Sequence, residues 1–379
     1  MTIDTAVIGR GMVGAAAARH LAEAGHSVAL IGPDEPADRR SAEGPFASHH
    51  DQGRITRIAG RDEVWTELAA RSVDRYGDIR DRSGIDFHTP RGMVAVYPDA
   101  ADWVSRATPW GSEARLVEPD WLRSTTGIAI TNGLPIMYEP APAGHINPLH
   151  LVAAQTVLTE LAGGLVLREA VTSVRGAGSG FEIGGHWGTL TAARVLVATG
   201  AFGAELFGFR LDVERRPRTI LRAELADDGR IPSIIAMDPP DQRVHEIYWV
   251  PPVSYPDGSV CIKIGGDLRE FVPLEPEELT DWFHSDGNPT EIESLENNLR
   301  LLLPDCSFGA INTAPCVITG TSSGHPYIGW ADDHLAVAIA GNGSAAKSSD
   351  ELGRIAAGLF SEAGWDSAID ASVFTPRFR

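Results

Sequence analysis

The stretch DTAVIGRGMVGAAAARHLAEAGHSVALIG, residues 4–32, decides the fold. An apolar run leads into a turn with Gly9, Gly11 and Gly14, an alanine-rich segment follows, and a second apolar run ends the stretch. Strand, glycine turn, helix and strand within about 30 residues are the pattern of a βαβ unit that binds a dinucleotide. In this pattern Gly9 forms the tight turn, Gly11 lets the backbone approach the pyrophosphate, and Gly14 lets helix and strand pack closely. We expect the phosphates at the helix N-terminus, where free N–H groups favour negative charge.

The position that ends the second strand departs from this pattern. An Asp or Glu usually stands there and binds the adenosine ribose, whereas this sequence has Gly32. The nearest acidic residues are Asp34 and Glu35. The ribose is therefore bound either by one of these two carboxylates or by another group. Asp34 is the carboxylate closer to Gly32 in the sequence.

The composition narrows the class of protein. The chain has 379 residues, 43% of them hydrophobic, which is enough for two domains with separate cores. The net charge of −19 argues against nucleic acid as a partner, because phosphate binding needs clusters of Lys and Arg. Three cysteines without CxxC spacing exclude a disulfide framework and the usual zinc patterns. With no leader and no membrane-length apolar run, we expect a cytoplasmic protein that contacts no membrane and acts on a small molecule as a monomer or small homo-oligomer.

The rest of the chain alternates between two patterns. Residues 62–79 and 145–164 have helical periodicity, the second with Asn147 as its N-cap, and residues 194–202 read as a buried strand. Between residues 216 and 309, extended segments with alternating hydrophobicity are followed by one helical stretch, which is typical of an antiparallel sheet covered by a helix. The end of the chain returns to strand, glycine turn and helix. The sequence therefore predicts an α/β protein with a discontinuous cofactor domain and a second domain built on an antiparallel sheet.

Seven stretches in order along nearly the whole chain carry a resemblance to a known family. They are GRGMVG (9–14), SHHDQGRITRIAG (48–60), RGMVAVYP (91–98), VLVATGAF (195–202), CIKIGGD (261–267), APCVITGTSSGHPYIG (314–329) and AGNGSAAKSS (340–349). Together they resemble the monomeric sarcosine oxidase and N-methyltryptophan oxidase group of flavin amine oxidases, in the D-amino-acid oxidase superfamily. The resemblance implies a Rossmann-type FAD-binding domain and an antiparallel-sheet substrate domain. We assign residues 1–85, 145–215 and 310–379 to the former, and 86–144 and 216–309 to the latter.

Cys316 stands in one of these stretches. In the family that the sequence resembles, a cysteine in the segment before D/S-x-x-P-x-I-G bonds through its sulfur to the 8α-methyl group of the flavin. The resemblance therefore implies a covalent FAD at Cys316. The alternative is that Cys316 is a small buried hydrophobe, as we expect for Cys261 and Cys306. Because a thiolate is needed for attachment, a cation is expected near Cys316.

Two arginines three residues apart lie in GRITRIAG. The resemblance implies that Arg54 contacts the flavin and that Arg57 pairs with the substrate carboxylate, a task that suits a permanently charged, bidentate guanidinium. Alternatively, both pair with the many acidic residues of the chain. The neighbouring sequence His49, His50 and Asp51 suggests a metal, but it lacks a distant third ligand and the family uses none, so we expect no metal.

The remaining candidates are polar residues on the later stretches. Lys263 alternates with apolar residues, and the resemblance implies that it lies near flavin N5 and promotes the reaction of reduced flavin with O2; a solvent-facing lysine at a sheet edge is the alternative. Lys347 follows the turn at Gly341 and Gly343 one residue later than the family's carboxylate-binding lysine, and it either points into the substrate site or binds the flavin carbonyl region. Gly200 is expected to contact the cofactor at the end of its strand.

The substrate is the least defined part of the prediction. Asn342 and Asp267 occupy positions where the family often has histidine, and Tyr248 is either a pocket wall or a core residue. We expect a carboxylate-bearing amine, secondary, N-methyl or cyclic, to be oxidised to an imine while O2 becomes hydrogen peroxide. A glycine or D-amino-acid oxidase, a biosynthetic imino-acid oxidase, an NAD(P)-dependent dehydrogenase and a catalytically silent flavoprotein are the alternatives. Because the amine must be neutral to donate hydride, activity is expected to rise with pH.

Overall fold

The computed structural model describes residues 2–178, 180–203, 205–362 and 364–379, which form helices and three β-sheets. The helices are α1 (Met12–Glu23), α2 (Glu63–Asp74), α3 (Tyr76–Ser83), α4 (Ala100–Ala107), α5 (Pro119–Thr126), α6 (Pro148–Leu161), α7 (Leu279–His284), α8 (Pro289–Leu302) and α9 (Ala345–Gly358). The strands are β1 (Thr2–Ile8), β2 (Val28–Ile31), β3 (Arg54–Thr56), β4 (His88–Thr89), β5 (Met93–Val96), β6 (Arg115–Val117), β7 (Ile136–Glu139), β8 (Gly144–Ile146), β9 (Leu165–Leu167), β10 (Val171–Ala177), β11 (Gly180–Gly185), β12 (Gly188–Val197), β13 (Glu214–Glu224), β14 (Ser233–Met237), β15 (Val244–Ser254), β16 (Val260–Leu268), β17 (Ile311–Gly320), β18 (Tyr327–Trp330) and β19 (Leu335–Ile339).

The first sheet has a parallel centre in the order β9, β2, β1, β12, β19. The long strand β12 bonds β11 through its first half and β19 through its second half, so an antiparallel β10–β11 hairpin continues the sheet. Side chains alternate between the two faces: Val7 and Leu30 pack with α1 and α9, whereas Ile8 and Ile31 pack on the opposite side. The carboxyl ends of β9, β2, β1, β12 and β19 therefore meet at one edge, which is where open α/β sheets bind ligands.

The second sheet has the order β17, β13, β16, β15, β14, β5, β7, β6 and is antiparallel except for the pair β14–β5. One face carries Leu221, Trp249 and Ile264, which pack against helix α8 in a buried cluster. Because neighbouring residues of a strand point to opposite faces, Lys263, Gly265 and Tyr248 lie on the other face. A small third sheet, in the order β3, β8, β4, fixes the segment that begins at Arg54.

The predicted fold class is confirmed: a mixed α/β protein with a Rossmann-type unit and a large antiparallel sheet. The predicted helix over residues 62–79 is divided into α2 and α3 at Arg75. Strand β17, which the sequence analysis assigned to the cofactor domain, pairs with β13 in the second sheet instead. The cysteine of APCVITG thus belongs to the wall that faces the cofactor domain. Among the described residues, no helix combines the length and the apolarity needed to cross a bilayer.

Candidate active site

A cavity of about 740 Å³ lies between the carboxyl edge of the first sheet and one face of the second sheet. Its walls come from the loops after β1, β2, β12 and β19 and from the strands β13, β15 and β17. Of the residues predicted from the sequence as site residues, Gly9, Gly11, Arg54, Arg57, Gly200, Tyr248, Cys316, Gly341, Gly343 and Lys347 line this cavity. Gly14, Asp34 and Lys263 do not line it.

The glycine turn after β1 is built as a cradle at one end of the cavity. Gly9 has φ of +113°, a conformation that favours glycine, and a Cβ added there would overlap the carbonyl of Ala198. Gly14 lies underneath, where an added Cβ would overlap the carbonyl oxygen of Gly9. Gly11 is the N-cap of α1 and offers no side chain to the first-turn N–H groups. These N–H groups are therefore free to bind an anion.

Arg10 explains why glycine replaces the usual acid at the end of β2. The Arg10 Nε atom donates a hydrogen bond of 3.0 Å to the carbonyl of Gly32, and a Cβ at Gly32 would overlap the Arg10 backbone. The guanidinium of Arg10 pairs with Asp34, whose side chain is 58% exposed and also lies 3.3 Å from Arg168. Sequence reasoning did not single out Arg10, although it lies inside the glycine motif and lines the cavity.

His49 and His50 also line the cavity near Gly11. Burial lowers the pKa of His49, and His50 lowers it further. Burial and Arg10 lower the pKa of His50 to about 4. Both imidazoles are therefore neutral near pH 7 and able to donate one hydrogen bond each. In the part of the chain that the structure describes, no three His, Cys, Asp or Glu side chains come together as a metal site.

Cys316 lies on the cavity wall directly opposite Arg218, its partner in the pairing of β13 and β17. Its side chain is 9% exposed, and its carbonyl accepts a hydrogen bond of 2.9 Å from Trp282. Arg54 lines the same cavity, and both Arg54 and Lys263 interact electrostatically with the Cys316 side chain. Cations of this kind stabilise a thiolate.

Lys263 is not one of the residues that line the cavity. It is completely buried, and its ammonium donates to Asp51 at 2.8 Å and to the carbonyl of Gly53. Burial and the charge of Arg54 lower the pKa of Lys263 to about 8, against the opposing effect of Asp51. Arg54, which does line the cavity, forms an ion pair with the same carboxylate.

Arg57 and Lys347 are two buried basic side chains on the cavity wall. Arg57 is 6% exposed and lies 4.9 Å from the centre of the Trp103 ring, and Lys347 is 3% exposed and lies 5.2 Å from that of Trp65. Among the described residues neither has a carboxylate within ion-pair distance: Arg57 donates to the carbonyl of Ala59 and Lys347 to that of Ser344. Burial and Arg61 lower the pKa of Arg57 to about 10; burial and Arg57 lower that of Lys347 well below its ordinary value.

The other charged groups on the wall are neutralised in pairs. Arg61 lies 2.5 Å from Glu246, which also accepts a hydrogen bond from Tyr97. Arg218 lies 2.6 Å from Asp267. The ion pairs of these two arginines distinguish them from Arg57, which has none among the described residues.

Residues 4–359 match the model of the family described as FAD dependent oxidoreductase, DAO. The chain belongs to this family. Among its relatives, the monomeric sarcosine oxidase of Streptomyces avermitilis is 25% identical over 337 residues, covering 86% of this chain and 84% of that protein. The N-methyl-L-tryptophan oxidase of Yersinia pestis is 23% identical over 212 residues, covering 54% of this chain and 56% of that protein. The solved structure of NikD, an amino acid oxidase, shares the fold with a TM-score of 0.80 at 20% identity, covering 100% of this chain and 98% of that one.

The residues of the cavity fit the cofactor of an FAD-dependent oxidoreductase. The glycine cradle and the uncapped N-terminus of α1 suit a pyrophosphate, and the cavity continues past Gly200 to the face of the second sheet. The polar groups on the way, Arg10 and the two neutral histidines, can each donate a hydrogen bond. The nicotinamide alternative and the metal pattern are therefore not needed to explain any of these side chains.

Gly14→Ala is expected to prevent stable FAD binding by this FAD-dependent oxidoreductase. The new methyl group overlaps the carbonyl oxygen of Gly9, so the turn that carries the phosphate-binding N–H groups has to move. The flavin content of the purified protein, read from its absorbance at 450 nm, measures the effect. Gly77→Ala, at an exposed position of α3 with open space around its Cβ, is the control and is expected to retain flavin.

One sequence signal for the site was missed. Only two of the 32 basic residues of this FAD-dependent oxidoreductase are lysines, and they are Lys263 and Lys347. Both are buried, one behind and one on the wall of the cavity. Lysine is almost never fully buried without a partner or a task. Because every other residue counted among these 32 is an arginine, the two lysines can be recognised from the sequence alone as candidate site residues.

Proposed function

We propose that this FAD-dependent oxidoreductase oxidises the C–N bond of a carboxylate-bearing secondary, N-methyl or cyclic amino acid to an imine, with O2 as the electron acceptor and hydrogen peroxide as the reduced product. One observation carries the proposal. Arg57 and Lys347 are buried basic side chains on the cavity wall, and neither forms an ion pair with a carboxylate of the described residues. Buried charges are stable only with a partner, so the missing anion is assigned to the substrate.

The names of the relatives support the same substrate class. Sarcosine and N-methyl-L-tryptophan, named in two of them, are N-methyl amino acids with a free carboxylate. In this chain Arg57 is suited to bind that carboxylate bidentately, and Lys347 to bind it as a point charge. Tyr248 lines the neighbouring wall and Trp65 supplies an apolar surface near Lys347. Fixed basic side chains that hold the carboxylate orient the amine within the cavity.

The flavin, when bound, accepts two electrons from the substrate. We assign its pyrophosphate to Gly9, Gly11 and the N-terminus of α1, and its ring to the wall that carries Arg54, Cys316 and Tyr248. The loop of Gly341 and Gly343 is assigned to the same end of the cofactor, and Asp34 to the adenosine end through Arg10. The Arg57 side chain is buried, and burial strengthens its interaction with an opposite charge.

We further propose that FAD is attached to the sulfur of Cys316. The presence of Arg54 on the same cavity wall, and the electrostatic interaction of Arg54 and Lys263 with this side chain, support the proposal because cations stabilise a thiolate. Attachment forms a carbon–sulfur bond at the 8α carbon in place of one C–H and one S–H bond. The two electrons and two protons that are released reduce one O2 to hydrogen peroxide.

The proposed function is tested by matched pairs of amines. The purified enzyme is assayed for hydrogen peroxide with sarcosine, N-methyltryptophan and proline, and with the corresponding amines that lack the carboxylate. We expect turnover of at least one acid and at least 100-fold lower kcat/KM for its decarboxylated partner. Preference for glycine or a D-amino acid would show that the enzyme is an oxidase of primary amines instead. Equal turnover with and without the carboxylate would refute the proposed role of the two cations.

A pH dependence of ligand binding follows from Lys347. Its lowered pKa means that the free enzyme loses this charge at a lower pH than an ordinary lysine does. A bound carboxylate raises the pKa again, so binding takes up a proton, and affinity falls as pH rises above the pKa of the free enzyme. We expect the Kd of cyclopentanecarboxylate, which has the shape of proline but no nitrogen, to increase up to about tenfold per pH unit in that range.

The perturbation of the flavin spectrum on titration measures this Kd. In Lys347→Met the pH dependence is expected to disappear while weak binding through Arg57 remains. The turnover number should show the opposite trend in the wild type, rising with pH as the bound amine loses its proton. A turnover number that stays constant between pH 6 and 10 would contradict the requirement that the bound amine lose its proton before it is oxidised.

A further inference from the structure

Asp51 is the hub of a buried charge cluster next to the proposed flavin site. Its Oδ2 atom accepts from the Lys263 ammonium at 2.8 Å and from Arg54, and its Oδ1 atom accepts from the backbone N–H of Gln52 at 2.8 Å and from the Tyr255 hydroxyl at 3.1 Å. The side chain is almost completely enclosed. Every lone pair direction of the carboxylate is thus used within the protein, and two of its four partners are cations.

Lys263 depends on this carboxylate for its charge. Among the described residues, Asp51 is the one carboxylate within ion-pair distance of its ammonium. The other titratable or charged groups that face it are Arg54 from β3, Arg222 opposite on β13, Tyr248 on β15 with its ring centre at 5.8 Å, Cys316 on β17 and, more distantly, His145 on β8. Arg54 and Arg222 are positive, and the phenol, thiol and imidazole carry no negative charge in their ordinary forms.

An isolated ammonium in such a place gives up its proton. Burial and nearby positive charge both favour the neutral amine, and only an adjacent anion opposes them. Lys263 has a pKa of about 8 with Asp51 present, so its ammonium already loses its proton not far above neutral pH. Without the negative charge of Asp51 the same lysine is expected to be mostly uncharged at pH 7.5.

We propose that Asp51 is a positioning residue that keeps Lys263 in its ammonium form beside the flavin site and thereby sets the pH range in which the reduced enzyme reacts with O2. The inference rests on the proposed function, in which O2 is the electron acceptor. O2 takes two electrons from the reduced flavin and two protons, one from the flavin and one from solvent, and leaves as hydrogen peroxide. The ammonium of Lys263 stabilises the negative charge that O2 acquires with the first electron.

The rate of this step is measured without any amine substrate. The holoenzyme is reduced with dithionite under anaerobic conditions and mixed with O2, and the return of the 450 nm absorbance is followed from pH 6 to 10. We expect the wild-type rate constant to fall with a midpoint near the Lys263 titration. Asp51→Asn is expected to lose at least about tenfold at pH 7.5 and to move the midpoint down by about one pH unit or more. Tyr255→Phe, which removes a neutral partner of Asp51, is the matched control and is expected to keep the wild-type midpoint.

The protonation of Lys263 is measured directly by NMR. The chain contains only two lysines, so [ε-¹³C]lysine gives two side-chain signals, and Lys347→Met assigns them. We expect the Lys263 signal to titrate at lower pH in Asp51→Asn than in the wild type. An unchanged Lys263 midpoint, or an unchanged O2 rate constant in Asp51→Asn, would overturn the proposal.

Asp51→Glu keeps the carboxylate and covers the case in which Asp51→Asn does not fold or bind FAD. The longer side chain changes the distance to the ammonium, and the O2 midpoint and the Lys263 midpoint are expected to shift together. A shift of one midpoint without the other overturns the proposal. Failure of every amine to reduce the flavin, with a normal O2 reaction after dithionite, would refute the proposed function and leave the role of Asp51 standing.

Discussion

Arg57→Met is expected to lower kcat/KM for the best carboxylate-bearing substrate by about 100-fold to 1,000-fold, because removing one partner of a buried charge pair costs roughly 3–4 kcal/mol. The arginine lies on the wall of the cavity, is 6% exposed, and has no ion pair among the described residues. Its guanidinium is therefore not committed to an ion pair before the substrate binds. Methionine keeps much of the side-chain volume next to Trp103 and removes only the charge and the donors.

Three comparisons separate substrate binding from structural damage. Lys347→Met is expected to give a smaller loss, and the double variant less than the product of the two losses, because both cations bind one carboxylate. The loss should vanish for an amine without a carboxylate. The matched control is the double variant Arg61→Met with Glu246→Gln, which removes a neighbouring cation together with its own carboxylate and is expected to stay within about tenfold of wild type. Equal losses in this control and in Arg57→Met would disprove the assignment.

Cys316→Ala is expected to abolish covalent flavin completely. Wild-type protein precipitated with acid should keep its yellow chromophore in the pellet, whereas the variant should release all of it to the supernatant. The structural reason is that Cys316 is the cysteine on the cavity wall, which it shares with Arg54. Alanine leaves a gap of one sulfur atom, which a buried site of this kind tolerates at a cost of about 1–2 kcal/mol.

Cys261→Ala is the matched control for this experiment. Cys261 is as buried as Cys316 but lies next to Ser259 near the start of β16, and it does not line the cavity. We expect this variant to keep all of its flavin in the pellet. Release of the chromophore from wild type as well would show that Cys316 is a packing residue and that the cofactor is held without a covalent bond.

The βαβ unit was predictable because its evidence is local. The three glycines, the alanine-rich helix and the two apolar strands are adjacent in the sequence, so the pattern is recognised without knowing which distant residues, such as Ala198, pack against it. Strand β17 shows the opposite case. Its sequence identifies Cys316 as unusual, but which sheet it joins depends on pairing with β13, about a hundred residues earlier in the chain.

The charge cluster around Asp51 was not predictable for a similar reason. The sequence shows Asp51 beside two histidines, which suggested a metal pattern, while its cationic partner Lys263 comes from a different sheet. Likewise, period-2 alternation places Lys263 on the inner face of its strand but does not show that its ammonium is bound by Asp51 and the carbonyl of Gly53. Such contacts are set by how the sheets pack, and side-chain direction alone does not reveal them.

The two internal lysines also affect how the enzyme withstands its own product. Oxidation of an N-methyl group gives an N-methylene imine, whose hydrolysis releases formaldehyde and the demethylated amine, and aldehydes attack neutral primary amines of proteins. In this chain the lysine amines are confined to the buried cluster and the cavity, and the remaining side-chain cations are arginines, which stay protonated. Apart from a terminal amine, the molecular surface therefore offers no lysine for such cross-linking. Amine-directed dyes and aldehyde supports should attach to it poorly as well.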